Sequence, residues 1–254
     1  VEIRPTNIQS RKILHHSIAY HILNPENAAA VNTGIGGGRP AASVSGSASQ
    51  LAADLANRRP QLMEWAIGKG YDRYMEGTGK LVLPGEKIAW DQHIHAAGEE
   101  VTSGSQLGIW FYPKGYQPKN RTILNMFNVA ANSELDIPPG AKTVTQNFYV
   151  LPAPARIENF QPHMHMRGKA MMMEAVYPDG KREVLSHVNN FQWNWHNNYM
   201  YADEVAPLLP KGTMLVFTAW HDNTKDNPNN PDPEQWIGWG DRTVDEMAHA
   251  WVDV

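Results

Sequence analysis

Phe160-Gln-Pro-His-Met-His-Met-Arg-Gly-Lys169 is the stretch from which the rest of the chain is read. Taken as a β-strand, its two-residue period sets His163 and His165 on one face and Met164 and Met166 on the other. Two imidazoles then project side by side into one site, while two methionines pack backwards into a core. Plain surface strands also carry His-x-His, so the remaining ligands of a metal site have to come from elsewhere in the chain.

The totals restrict what that site can be. The 254 residues suffice for one large β domain or two of ordinary size. A formal net charge of -4 and only 19% charged residues leave no basic field for nucleic acid or an anionic membrane. No apolar run reaches the ~18 to 20 residues that span a bilayer, and Val1-Glu-Ile-Arg4 does not read as a signal peptide. The absence of an initiator Met leaves room for a further domain or partner chain upstream of Val1. Cysteine is absent, which removes disulfides and thiolate metal sites, whereas 11 His and 11 Met are present. Any metal must be held by His, Met, Asp or Glu. Nine Trp, nine Tyr, 18 Pro and 20 Gly fit a turn-rich β protein.

Several short strands follow in order. Ile13-Leu-His-His-Ser-Ile-Ala-Tyr-His-Ile22 places Leu14, His16, Ile18 and Tyr20 opposite His15, Ser17 and Ala19. A vicinal His-His pair points its rings to opposite faces, so His15 and His16 reach one ion only if a bulge or twist turns one of them. From about residue 25 to 80 a helical and loop insertion is expected: to about residue 50 it is rich in Ala, Gly, Ser and Asn without periodicity, and one short helix is expected over 48–57. Ile88-Ala-Trp-Asp-Gln-His-Ile-His95 is a second histidine strand, with His93 and His95 on one face. Further strands are expected at 107–112, 143–151, 171–177 hairpinned to 182–185, 214–221 and 245–252; Phe191-Gln-Trp-Asn-Trp195 also alternates. The stretch 222–233, rich in Asn, Asp and Pro, reads as an exposed loop. Pro152-Ala-Pro154 reads as a stiff connector, dividing the chain into 1–152 and 153–254. Short strands separated by turns predict an all-β fold of antiparallel sandwiches.

Five motifs then fall in one order: His163-Met-His-Met-Arg-Gly-Lys169; Tyr177-Pro-Asp-Gly-Lys181; Leu209-Pro-Lys-Gly-Thr213; Asp222-Asn-Thr224 with Asn227-Pro-Asn-Asn-Pro-Asp-Pro233; and Thr243-Val-Asp-Glu-Met247. In these the chain resembles the copper type II, ascorbate-dependent monooxygenases, the group of dopamine β-hydroxylase and the peptidylglycine α-hydroxylating monooxygenase, and it looks most like their bacterial relatives. The resemblance implies two jelly-roll-like β-sandwich domains with a cleft between them and one copper ion on each. It implies a catalytic, dioxygen-binding copper on His163, His165 and Met247, and an electron-transfer copper on His15, His16 and one of His93 and His95, with His93 the better match. It further implies ascorbate or another one-electron donor as co-substrate, a small organic substrate hydroxylated at a C–H bond, and a periplasmic or secreted location. The ligand types agree, since a neutral thioether is a soft donor that favours Cu(I), and zinc does not ordinarily recruit Met.

The chain departs from the family in places. Where the peptide-hydroxylating branch grips a substrate carboxylate, this chain has Gln161, His249 and Trp251, which read as walls of a pocket for something more neutral or aromatic. His249 reads equally as a group behind the ligands or as a core histidine. The family's disulfides are missing. His196 and His221 read as structural, and His21 and His187 as having no part in the chemistry. Two other function classes stay open: a copper-binding or electron-transfer protein on the same scaffold, and a β-sandwich binding module holding zinc or no metal.

Overall fold

The computed structural model describes residues 1–22, 61–82, 86–130 and 135–254. The fold is all-β: among the described residues there is one short helix, and every other regular element is a strand. No described helix is long and apolar enough to cross a membrane. The helix expected over 48–57, with most of the expected insertion, lies outside the described residues. The chain divides into two compact units, Val1–Leu124 and Asn125–Val254.

In the first unit, β1 (Glu2–Pro5) precedes α1 (Ile8–Ile13), whose start is capped by the Asn7 side chain accepting the Ser10 N–H at 2.7 Å. The chain then runs through β2 (Leu14–Ile22), β3 (Gln61–Ala66), β4 (Thr78–Gly79), β5 (Lys87–Ile94), β6 (Ser105–Gly108) and β7 (Asn120–Arg121). β2 lies between β3 and β5, antiparallel to both. Ile3, Leu14, Ala19, Leu62, Met63 and Trp65 form the core.

Two expectations are corrected here. The second half of the insertion is not loop: β3 is a fully integrated strand carrying core residues, because Leu62, Met63 and Trp65 have apolar area to bury against β2. The strand expected over 107–112 stops at Gly108, since its partner β1 offers only four residues and the pairing runs out at Glu2. Trp110 and Phe111 beyond it are 70% and 71% exposed.

β8 (Leu124–Asn128) begins at the division, and all of it after Leu124 belongs to the second unit. That unit also contains β9 (Asp136–Ile137), β10 (Lys142–Val150), β11 (Ala155–Arg156), β12 (Asn159–Met164), β13 (Gly168–Val176), β14 (Arg182–Val188), β15 (Tyr199–Met200), β16 (Leu208–Leu209), β17 (Met214–Asp222), β18 (Ile237–Gly238) and β19 (Ala248–Asp253). One sheet has the order β10-β17-β13-β14 and the other contains β15-β12-β19. Phe160, Met164, Ala248, Ala250 and Val252 from the second sheet merge with Met171, Met173, Leu215, Phe217 and Ala219 from the first into one hydrophobic core. Each fully buried Met or Phe in it contributes on the order of 1.5 to 3 kcal/mol.

The division therefore falls earlier than Pro152–Pro154. β10 pairs along its whole length with β17, so the prolines connect two strands inside one unit. Phe191–Trp195 forms a turn and not a strand: Phe191 N–H donates to Lys169 O and Trp195 N–H turns back to Gln192 O. Its alternation reflects burial of Phe191 and half-burial of Trp193 against the core. The 222–233 loop is not simply exposed either. Asn223 and Asn227 are buried because their side chains substitute for missing backbone pairing: Asn223 Nδ2 donates to Pro138 O and Gln235 O, each at 2.9 Å.

Candidate metal centres

In the first unit the histidine pair sits at a break in register. Leu14 pairs with Ile94 and His16 with His93, so His15 is the extra residue of a β-bulge on β2. The bulge supplies the turn that a vicinal pair needs. His15 comes to lie 5.7 Å from His93 and 6.1 Å from His95 between ring centroids, and His16 lies 5.1 Å from His93. Imidazoles sharing one ion through bonds of about 2.0 Å have centroids roughly 5 Å apart. His16 and His93 match that spacing, and His15 is slightly wider. His93 is the nearer third ring; His95 is exposed and borders an open cavity of 660 Å³ with Ile13, Ile94, Glu99, Glu100 and Val101.

A residue that the sequence reading passed over also meets this cluster. Glu64 on β3 is buried, and its Oε1 lies 3.0 Å from His16 Nε2. Its other oxygen lies 3.6 Å from Lys69 Nζ, which meets Asp72 Oδ1 at 3.0 Å. His93 Nε2 lies 3.5 Å from Asp91 Oδ1. Glu64 was invisible in advance because it sits inside the segment read as an insertion.

In the second unit, β12 and β19 pair antiparallel with His163 opposite His249 and Gln161 opposite Trp251. Alternation turns Phe160, Met164, Ala248, Ala250 and Val252 to the core and leaves Gln161, His163, His249 and Trp251 together on the other face. All four are buried. The strand ends at Met164. His165 begins a turn closed by Gly168 N–H donating to His165 O at 3.1 Å, so Met166 is half-buried in that turn and not a second core methionine. Gly168 must be glycine: a Cβ there would lie 2.5 Å from the Met164 Cβ.

His163 is the hub of the rings. His165 lies 5.4 Å away and His196 4.7 Å away, both edge-on, whereas His249 stacks nearly parallel at 4.4 Å and 14°. Parallel stacked rings aim their nitrogens side by side, so His249 is a packing partner of His163, and Trp251 closes edge-on against it at 5.3 Å. His196 arrives at the end of the Phe191–Trp195 turn; its only sequence signal was the aromatic run preceding it.

Glu246 joins the two motifs. Its buried carboxylate accepts the backbone N–H groups of His165 at 2.9 Å, Arg167 at 2.5 Å and Met247 at 3.3 Å. Burial pushes its carboxyl up to about 7, against the lowering effect of those three N–H donors. His165 Nδ1 meets the Asp245 carbonyl at 3.1 Å; a carbonyl only accepts, so Nδ1 carries the proton and a metal would be taken through Nε2. His221 Nε2–H donates to the Met247 carbonyl at 3.3 Å, and burial lowers its pKa to about 4, which keeps it neutral. His221 thus holds the backbone of Met247, a role its position beside Asp222 did not reveal.

Arg167 ties the remaining motifs to this point. Its guanidinium donates to Asn223 Oδ1 at 2.8 Å, Val244 O at 2.8 Å and Asp232 O at 3.3 Å, and Lys169 Nζ donates to Asn227 Oδ1 at 3.0 Å. The other two motifs are glycine turns: Gly180 and Gly212 have φ of 88° and 84°, a region that favours glycine.

No protein-family model matches this chain, and no curated protein matches it. Among solved structures, it is similar to the infectious bursal disease virus VP2 subviral particle, at 9% identity and a TM-score of 0.25, over 99% of this chain and 53% of that one. It is similar also to a chain of infectious bursal disease virus Gt strain, at 9% identity and a TM-score of 0.23, over the same shares. The chain thus spans about half the length of those viral chains, and a likeness at such scores carries no argument about function.

Proposed function

We propose that the protein is a copper-dependent monooxygenase that hydroxylates a C–H bond of a small organic substrate, with O2 and ascorbate or another one-electron donor. One observation carries this reading: Glu246 gathers the amides of His165 and Met247, about eighty residues apart, onto one buried carboxylate. That is the arrangement needed for the His-x-His and Asp-Glu-Met motifs to serve one ion.

The donor chemistry fits copper in both units. His163, His165 and Met247 offer two imidazoles and a thioether, a set suited to Cu(I) and poorly suited to zinc. His15, His16 and His93 offer three imidazoles, which suit both oxidation states of copper. Bound copper would supply one-electron redox chemistry and dioxygen activation, which no side chain of this protein provides by itself.

The chain's own residues have defined tasks in this reading. The Asp245 carbonyl orients the His165 ring, His221 and Glu246 hold the backbone of Met247, and His249, itself backed by Trp251, packs the His163 ring in place. Gln161, His249 and Trp251 present amide, imidazole and indole groups and no cation, so the substrate they suit is neutral or aromatic and not a peptide carboxylate. Jelly-roll topology of each unit belongs to the same proposal.

The test is copper analysis followed by oxygen uptake with ascorbate over a panel of aromatic amines, amides and lipids. About two coppers per chain and substrate-dependent uptake that Met247→Ala abolishes is the expected result. No copper, or unchanged turnover in Met247→Ala, would overturn the assignment.

A further inference from the structure

β1 runs between β6 and Tyr71. Glu2 lies directly opposite Gly108 on one side and Tyr71 on the other, and Arg4 lies opposite Gln106, all in antiparallel register. Residues opposite each other across antiparallel strands turn their side chains to one face, and so do residues two apart along a strand. Ile3, between Glu2 and Arg4, points the other way into the core of the first unit. Tyr71, Glu2, Arg4 and Gln106 therefore share the outer face. Gly108 adds no side chain to that face, and Trp110 uses the room: a Cβ at 108 would lie 3.0 Å from two carbons of the indole. The indole folds back over the strand and is still 70% exposed, while Tyr71 is 64% exposed.

Two aromatic surfaces thus flank Glu2, one strand to each side, roughly 10 Å apart by strand spacing. Trp110 lines an open hollow of 550 Å³ together with Glu2, Arg4, Gln106 and Leu107. Its polar groups are mixed: Arg4 Nε donates to Gln106 Oε1 at 3.2 Å, the guanidinium and the amide carry further N–H donors, and Glu2 supplies acceptors. One carboxylate and one guanidinium balance in charge, so the hollow does not select an ion. Hydroxyl groups, which donate and accept at once, match such a set. Pockets for small molecules enclose most of the ligand, whereas this face covers one side of it and leaves both ends open.

We propose that this face of β1 and β6 binds a neutral oligosaccharide chain, with the C–H faces of two sugar rings stacked on Trp110 and Tyr71 and their hydroxyls hydrogen-bonded to Glu2, Arg4 and Gln106. A pyranose ring presents an apolar C–H face and a rim of hydroxyls, the complement of an exposed aromatic face bordered by planar polar side chains. None of these residues belongs to either histidine cluster, so the site stands whether or not the metal reading does.

Calorimetric titration of the full chain with cellohexaose, N-acetylchitohexaose and maltohexaose tests this. At least one of them should bind, and glucose at least about 10-fold more weakly, because a single ring reaches one aromatic surface. Trp110→Ala and Tyr71→Ala should each weaken binding about 10-fold, the scale of losing one stacked ring. Gly108→Ala should weaken it by lifting the indole off the strand. Phe111→Ala, at a side chain 71% exposed but absent from the hollow, should leave it unchanged. No binding of any of these oligosaccharides at about 10 mM, unchanged affinity in Trp110→Ala, or an equal loss in Phe111→Ala would overturn the proposal.

Discussion

In the first unit, His16 meets Glu64 through side-chain atoms, and Glu64 meets Lys69, which meets Asp72. In the second, His165 is held by the Asp245 carbonyl, and Glu246 accepts three backbone N–H groups from the two segments that bear His165 and Met247. Both arrangements bury a glutamate beside histidines, but the two glutamates act on different things. Glu64 sets its carboxylate against a ring. Glu246 acts on the path of the backbone and decides where the ring and the thioether can be. A change at Glu64 should therefore be felt first in the properties of a bound metal, and a change at Glu246 first in stability.

The largest expected effect follows from that difference. Glu246→Ala leaves three buried N–H groups without their acceptor, each costing about 1 to 3 kcal/mol. Denaturant unfolding should show a loss of about 3 kcal/mol or more, with copper lost from the second unit, while Glu246→Gln, which keeps an acceptor oxygen, loses less. Near-native stability in Glu246→Ala would break the comparison.

Next in size is a pair of ligand substitutions. Met247→Ala should lower ascorbate-driven oxygen uptake by more than about 100-fold while the first unit keeps its copper, and His16→Ala should remove the first copper while the second stays loaded. Loss of both ions in either variant, read by metal analysis, would show that the two centres are not independent.

His196→Ala sharpens the picture inside the second unit. Its ring is 4.7 Å from His163 and edge-on, a spacing compatible with a shared ion, so copper affinity there should fall about 10-fold in competition titrations. His249→Ala, which removes a stacked neighbour, should cost less affinity than His196→Ala. The reverse order would exchange the roles given to these two rings.

The smallest expected effect is a control far from both clusters. Gly180→Ala, at φ of 88° in the β13–β14 turn, should cost about 1 to 2 kcal/mol of stability by thermal unfolding and leave metal binding unchanged.

Much of this was readable from local patterns. The strand expected over 214–221 matched β17, the one expected over 245–252 matched only from Ala248, where β19 begins, and the turn Tyr177–Lys181 announced the β13–β14 hairpin. The need for a bulge at the vicinal histidines followed from strand geometry alone, and the register break at His15 meets it. Reading failed where period and environment part. Phe191–Trp195 alternates without being a strand, because a turn can bury every second residue when it lies against a core. The 107–112 segment has strand composition but lacks a long enough partner. β3 was hidden in a segment whose beginning is rich in Gly, Ala and Ser, and with it Glu64.

The sequence by itself determined the all-β class, the absence of thiolate ligands and which histidines are candidate ligands, because composition and the spacing of short motifs are local properties. Only the tertiary structure decided which groups stand behind those histidines. Glu64, Glu246, His196 and His221 reach the clusters through antiparallel pairing, a turn folded onto the core and hydrogen bonds across tens of residues. Those contacts depend on which strands pair and in what register, and that is settled by burial summed over whole sheets rather than by any short run of residues.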